Sequence, residues 1–146
     1  MAHSKEYYNN LVKSILQMLS LTTTVTIEEH FPGNRNIGGK FSLKSGAITL
    51  YLEEIKLQCI RVLGTDERMV DYFKIILAHE IGHSEDKDLE QLAKRKQVAK
   101  SNYEKHQLAI KIEDNAWNFA KKVFPELLPL IEIIMDHSMS IYKKSS

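Results

Sequence analysis

The chain has 146 residues, enough for one domain with its own hydrophobic core, and its 43% apolar and 27% charged composition argues against disorder. Its 20 basic and 19 acidic residues leave a formal charge of +1, without the basic excess a phosphate backbone requires, so direct nucleic-acid binding is not expected. A lone cysteine, Cys59, excludes an internal disulfide and fits a reducing compartment.

The polar N-terminal stretch, Met1 to Asn10, has no apolar signal core, and the longest apolar run, Leu127 to Met135, is broken by Pro129 and Glu132. A cytoplasmic protein with no membrane span is therefore expected. Lys94-Arg95-Lys96 reads as a solvated helix face.

Tyr8, Leu11, Val12, Ile15, Leu16 and Leu19 recur at helical spacing and predict an amphipathic helix from about Ser4 to Leu19. The period then changes, and Val25 and Ile27 alternate with polar neighbours as in a strand. Phe31 to Lys40, rich in Gly, Asn and Pro, reads as a mobile loop; an ordinary surface loop is the default for it, and a lid over Phe31 to Gly39 is the functional alternative. Phe41 and Leu43, then Ile48, Leu50 and Leu52, alternate around Lys44-Ser45-Gly46, the pattern of a β-hairpin.

A helix is expected from Glu53 to Gly64, although Ile55, Leu57 and Cys59 also alternate, and Cys59 among its apolar neighbours is expected to be buried. Thr65 is the expected N-cap of the next helix, which carries Met69, Val70, Phe73, Ile76, Leu77 and Ile81 toward a core. A polar helix near Asp88 to Ala99 follows. Ser101 to Glu104 has the form of a capping box, opening a helix that ends before Pro125. Glu126 to Tyr142 forms a last apolar helix, with core packing favoured over a dimer surface. The fold class is α+β, in a single domain over residues 1–146.

One motif carries chemistry. His79-Glu80-Ile81-Gly82-His83 lies within the helix that follows Thr65, and residues four apart on a helix lie nearly one above the other. His79 and His83 can thus present two imidazoles to one metal ion, in the manner of zinc peptidases. Glu80 is rotated away from that line but stays close to a water held by the metal. Zinc brings the pKa of such a water to roughly 7, which makes Glu80 the candidate general base. Gly82 costs the helix roughly 0.5–1 kcal/mol relative to Ala, and its missing side chain would admit another segment close to the site.

A catalytic zinc takes a third protein ligand. No third histidine follows at close spacing, and a glutamate on a later helix is the alternative. Glu113 is favoured, since Ala116, Phe119 and Ala120 lie on or near its helix face and an inward carboxylate needs a partner. Glu104, His106 and Asp114 compete for the role, and a surface Glu113 paired with Lys111 or Lys122 is the plainer possibility.

Leu77-Ala78-His79-Glu80-Ile81-Gly82-His83, followed some thirty residues later by Glu113-Asp114-Asn115-Ala116-Trp117-Asn118-Phe119-Ala120, resembles the ImmA/IrrE family of zinc peptidases. The resemblance covers roughly residues 40 to 124. It implies a minimal zincin-like (gluzincin) fold: N-terminal helix, small sheet, active-site helix, glutamate helix. It also implies Zn2+ on His79, His83 and Glu113, with Glu80 as the base. Family members commonly cut helix-turn-helix repressors, so a protein or peptide substrate of that kind is expected. Two positions depart from the family's Glu-x-Glu-Ala-Asn pattern: Asn115 stands at the second acid and Trp117 at the asparagine.

Three further expectations follow. The second hairpin strand, Ala47 to Leu52, is the candidate sheet edge for an extended substrate. Tyr103, His106 and His137 are the eligible oxyanion donors. Trp117 is expected to pack in the core or wall a pocket. Against the peptidase stands a zinc-stabilised module that binds a protein regulator without cutting it.

Overall fold

The computed structural model describes residues 3–145, so Met1 and Ala2 of the polar N-terminal stretch lie outside it. Its elements run α1 (Lys5–Met18), β1 (Val25–Glu28), β2 (Gly39–Phe41), β3 (Ile48–Tyr51), α2 (Leu52–Leu63), α3 (Met69–Ser84), α4 (Leu89–Val98), α5 (Asn102–Val123), a 3-10 turn (Pro125–Leu127) and α6 (Leu128–Ser145). The fold class is α+β, as the change of period from 3.6 to 2 and back implies. None of the helices among the described residues is long and apolar enough to cross a membrane. The chain divides after Leu77, inside α3, into two compact units.

In the first unit, Ser4 caps α1 by accepting from the Tyr7 amide at 3.2 Å, and the helix buries Tyr8, Val12 and Ile15. The sheet order is β1-β3-β2, with β1 parallel and β2 antiparallel to β3. Ile27, Ile48, Leu50 and Tyr51 form its buried side chains. The Tyr8 ring meets Phe73 of α3 with centroids 4.6 Å apart. Helix α2 buries Ile55 and Cys59, four apart, and leaves Leu57 exposed, which decides for helical over alternating period. Gly64 closes it in the left-handed conformation, φ 78°, where a Cβ would be strained.

Four expectations are corrected here. Residues 47–52 do not form an edge: β3 is the central strand, hydrogen-bonded on both sides, and β1 and β2 are the outer strands. Hairpin patterning identifies one neighbour of a strand and is silent on what takes its other side. The hairpin strands also differ in extent: β2 begins and ends earlier, at Gly39–Phe41, and β3 runs Ile48–Tyr51, because residues 42–47 are consumed by the turn. There Gly46 N–H donates to Ser42 O at 2.7 Å and Gly46 adopts φ 74°.

Thr65 does not cap α3, which starts at Met69; its hydroxyl accepts from the Glu67 amide at 3.2 Å within the preceding turn. The loop after Phe31 is tied down. Glu54 Oε2 accepts the Phe31 amide at 2.7 Å, Asn36 Nδ2 donates to Glu54 O at 3.3 Å, and Gln58 Nε2 donates to Asn36 O at 3.2 Å. Those three bonds fasten the segment to α2.

In the second unit, α5 packs against both α4 and α6. Ser101 caps α5, accepting from the Glu104 amide at 3.0 Å as the capping-box pattern predicts. Leu108, Ala116, Trp117 and Ala120 of α5 are buried, as are Leu130, Ile131, Ile134 and Met139 of α6, so the last helix contributes core residues. Pro125 occupies the first turn of the short 3-10 segment, and Pro129 the first turn of α6, where a missing amide proton costs nothing.

Candidate metal centre

Helix α3 departs from the amphipathic expectation. Tyr72 to His83 is almost continuously buried, the pattern of a helix enclosed on all sides. His79, Glu80 and His83 are buried polar side chains, and buried polar groups must be paired. They are. His79 Nε2 lies 3.0 Å from Glu113 Oε1, and His83 Nε2 lies 3.2 Å from Glu113 Oε2. The carboxylate of α5 thus offers one oxygen to each histidine of α3. The remaining ring nitrogen of His79, Nδ1, lies 3.0 Å from Glu80 Oε2.

Gly82 makes this approach possible. A Cβ placed on it would come within 2.7 Å of the Ala116 carbonyl oxygen and 2.9 Å of its Cα, so α5 lies directly against the backbone of α3 at this turn. Ala116, one turn beyond Glu113, is the small residue on the other side. Two helices packed this closely bring a glutamate on one within reach of histidines on the other.

The indole of Trp117, four residues after Glu113, covers the His79 ring at 4.3 Å between centroids, tilted by 40°. Its Nε1 is buried without a hydrogen-bond partner. Farther along, Asn115 Nδ2 donates to Asp86 Oδ2 at 3.2 Å, fastening the turn after α3 to α5. Asn115 therefore serves as a brace between elements.

Electrostatics follow from the cluster. Burial pulls the His79 imidazole toward its neutral form. The Glu80 charge and the Glu113 hydrogen bond outweigh that, raising its pKa from 6.5 to about 10. Burial pushes Glu113 up, but the hydrogen bonds from His79 and His83 prevail and hold it well below the usual carboxylate range. Two imidazoles around one carboxylate is the charge pattern that a divalent cation would share.

The residues fit such a cation. Nitrogen and oxygen ligands about 2.0–2.1 Å from a tetrahedral zinc stand roughly 3.3 Å from one another. The 3.0 and 3.2 Å separations between Glu113 oxygens and the two Nε2 atoms are close to that spacing. His79, Glu80 and His83 can also converge, with candidate ligand atoms all within 4.8 Å of each other. Glu113 faces the two Nε2 atoms with a different carboxylate oxygen each.

The competing candidates fall outside the cluster. Glu104 and Asp114 are exposed, and neither Lys111 nor Lys122 takes Glu113 as an ion-pair partner, since its oxygens face the two histidines. Of the eligible oxyanion donors, Tyr103 and His137 point to solvent, while His106 is half-buried with its Nε2 enclosed and unpartnered. The Trp117–His79 contact was legible in part: its spacing of four from Glu113 puts the indole on the carboxylate's face. Comparison of the chain with protein-family models, with curated proteins and with solved structures finds no match.

Proposed function

We propose that the chain is a zinc-dependent peptidase in which His79, His83 and Glu113 hold the metal and Glu80 is the general base. The observation that carries this reading is the pair of Nε2 atoms facing the two oxygens of Glu113 at 3.0 and 3.2 Å. A two-histidine, one-glutamate donor set is a catalytic zinc set with a position left for a reactant. Zinc bound there would supply Lewis acidity, polarising a carbonyl and acidifying water. Glu80 takes a proton from the attacking water and passes it to the departing amine. Trp117 covers one face of His79 and excludes solvent from it. The resemblance to the ImmA/IrrE peptidases and to zincin-like folds supports a protein substrate, and among its members a helix-turn-helix repressor is the common kind.

The test is cleavage of helix-turn-helix repressor proteins by the zinc-loaded chain beside its Glu80→Gln variant. The proposal expects fragments from the wild type and a rate lower by roughly 10²–10⁴ in the variant, with its zinc retained. A variant as active as the wild type would sink it.

One observation favours a second reading. Glu80 Oε2 sits 3.0 Å from His79 Nδ1, the position of a carboxylate that orients a histidine ligand. On that reading the centre is a zinc-stabilised surface that binds a protein regulator without cutting it. It predicts tight partner binding with no new fragments on prolonged incubation.

A further inference from the structure

A cleft of about 760 Å³ opens in the first unit, within the roughly 300–1,000 Å³ of sites that hold small organic ligands. The starts of α1, α2 and α3 frame it, and every residue lining it belongs to that unit. Tyr8, Leu52, Met69 and Val70 supply apolar walls. Charges of both signs surround them, Glu29, Glu53, Asp66 and Glu67 against Lys5 and Lys56. Among the described residues none of these six side chains has an ion-pair partner.

Two observations point to a ligand. Glu53 and Lys56 are half-buried and three residues apart on α2, the spacing of a helix-surface ion pair, yet they do not meet. A carboxylate and an ammonium held apart in one cleft are matched by a molecule that carries both charges at a distance. The second observation is Tyr8, which is only 3% exposed. Its hydroxyl has no hydrogen-bond partner among the described residues and is not sealed from solvent, so it opens into the cleft that Tyr8 lines. An otherwise enclosed phenol normally spends its hydroxyl on a partner. A bare metal ion does not fit: among the described residues the group with converging ligand atoms is His79, Glu80 and His83, not the carboxylates of the cleft. Their excess is answered in part by helix dipoles. Glu53 lies in the first turn of α2 and Asp66 and Glu67 just before α3, where each helix start presents roughly half a positive charge.

We propose that this cleft binds a short peptide with both ends free, its ammonium at Glu53, its carboxylate at Lys56 and its side chains against Leu52, Met69 and Val70. Tyr8 O–H donates to a carbonyl of the peptide backbone. A single amino acid would leave most of the cleft to water, and a long chain would bring no charged ends into it. The site shares no residue with the metal centre and does not depend on the peptidase reading.

The test is calorimetric titration of the full chain with the tripeptide Ala-Leu-Ala, in EDTA so that no peptide meets a metal. Its N-acetyl and C-amide forms, each lacking one terminal charge, are titrated beside it. The free tripeptide is expected to bind wild type, and each blocked form to bind roughly 10- to 100-fold more weakly, the worth of a hydrogen bond to a charged group. In Glu53→Gln the free and acetylated forms should bind alike, and in Lys56→Gln the free and amidated forms. Tyr8→Phe, which keeps the ring against Phe73, should weaken the free tripeptide by about tenfold. A wild type that takes up no free tripeptide up to about 10 mM overturns the proposal. So do blocked forms that bind as well as the free one, selectivity for the ends that survives in both charge variants, or wild-type affinity in Tyr8→Phe. Should Tyr8→Phe fail to fold, the two charge variants decide, because both side chains reach solvent.

Discussion

Gly82 of α3 and Ala116 of α5 are in backbone contact: a Cβ on the glycine would stand 2.7 Å from the alanine carbonyl oxygen. Glu113 lies one turn before Ala116 on α5, so this close approach determines how far its carboxylate sits from the histidines of α3. Gly82→Ala gains roughly 0.5–1 kcal/mol of helix propensity and costs about 1–3 kcal/mol of overpacking against unyielding backbone. A net loss of about 1–2 kcal/mol is expected by urea denaturation, together with weaker metal binding as α5 is pushed away. A variant as stable as wild type, binding metal equally well, would contradict the close packing.

Trp117 is the sole tryptophan of the chain and covers His79 at 4.3 Å. A protonated imidazole quenches indole emission by accepting an electron from the excited ring, and a neutral or metal-bound one does so less. Metal-free protein should therefore brighten as pH rises toward 10, and zinc added at pH 7 should produce the same brightening. Trp117 emission indifferent to both would place the indole away from the site.

The ionic pair of the metal-free protein has a defined pH window. The His79 pKa is raised from 6.5 to about 10, so its contribution to stability is complete below about pH 6.5 and fades as pH climbs to 10. The Glu113 pKa is lowered from 4.5, so its contribution is complete above about pH 4.5 and fades as pH falls below that. The stability difference between wild type and Glu113→Gln should peak between these limits and shrink on both sides, measured by denaturation across pH. Zinc binding must displace the His79 proton, so calorimetry in buffers of different ionisation enthalpy should show proton release.

Much of this was legible in the sequence, for local reasons. The helical spacing of His79 and His83, the cap at Ser101 and the stop at Gly64 are decided within a few residues of chain, and the structure has each where spacing puts it. Gly82 pointed to a close neighbour, and the neighbour is α5. What failed was non-local. The second partner of β3 is a strand twenty residues earlier, and nothing in the hairpin pattern points to it. Glycines and asparagines in residues 31–39 signalled mobility, while the bonds that fix the loop come from Glu54 and Gln58 on a later helix.

Glu54 provides a check on that loop. Its carboxylate accepts the Phe31 amide at 2.7 Å, a bond to a charged acceptor worth about 1.5–3 kcal/mol when partly shielded from water. Glu54→Ala should raise hydrogen exchange at Phe31 and across residues 31–39 by roughly tenfold or more, leaving α5 and α6 unchanged. Unaltered exchange in the loop would mean that other bonds hold it.

The most direct measurement is the metal content of the purified chain after reconstitution, wild type beside His83→Ala, Glu113→Ala and Glu80→Gln. The metal-centre account predicts about one zinc per chain in wild type and in Glu80→Gln, with zinc lost or much weakened in the other two. Zinc retained in Glu113→Ala but lost in Glu80→Gln would move the third ligand to Glu80 and contradict the assignment. No zinc in the wild type would contradict the metal centre altogether.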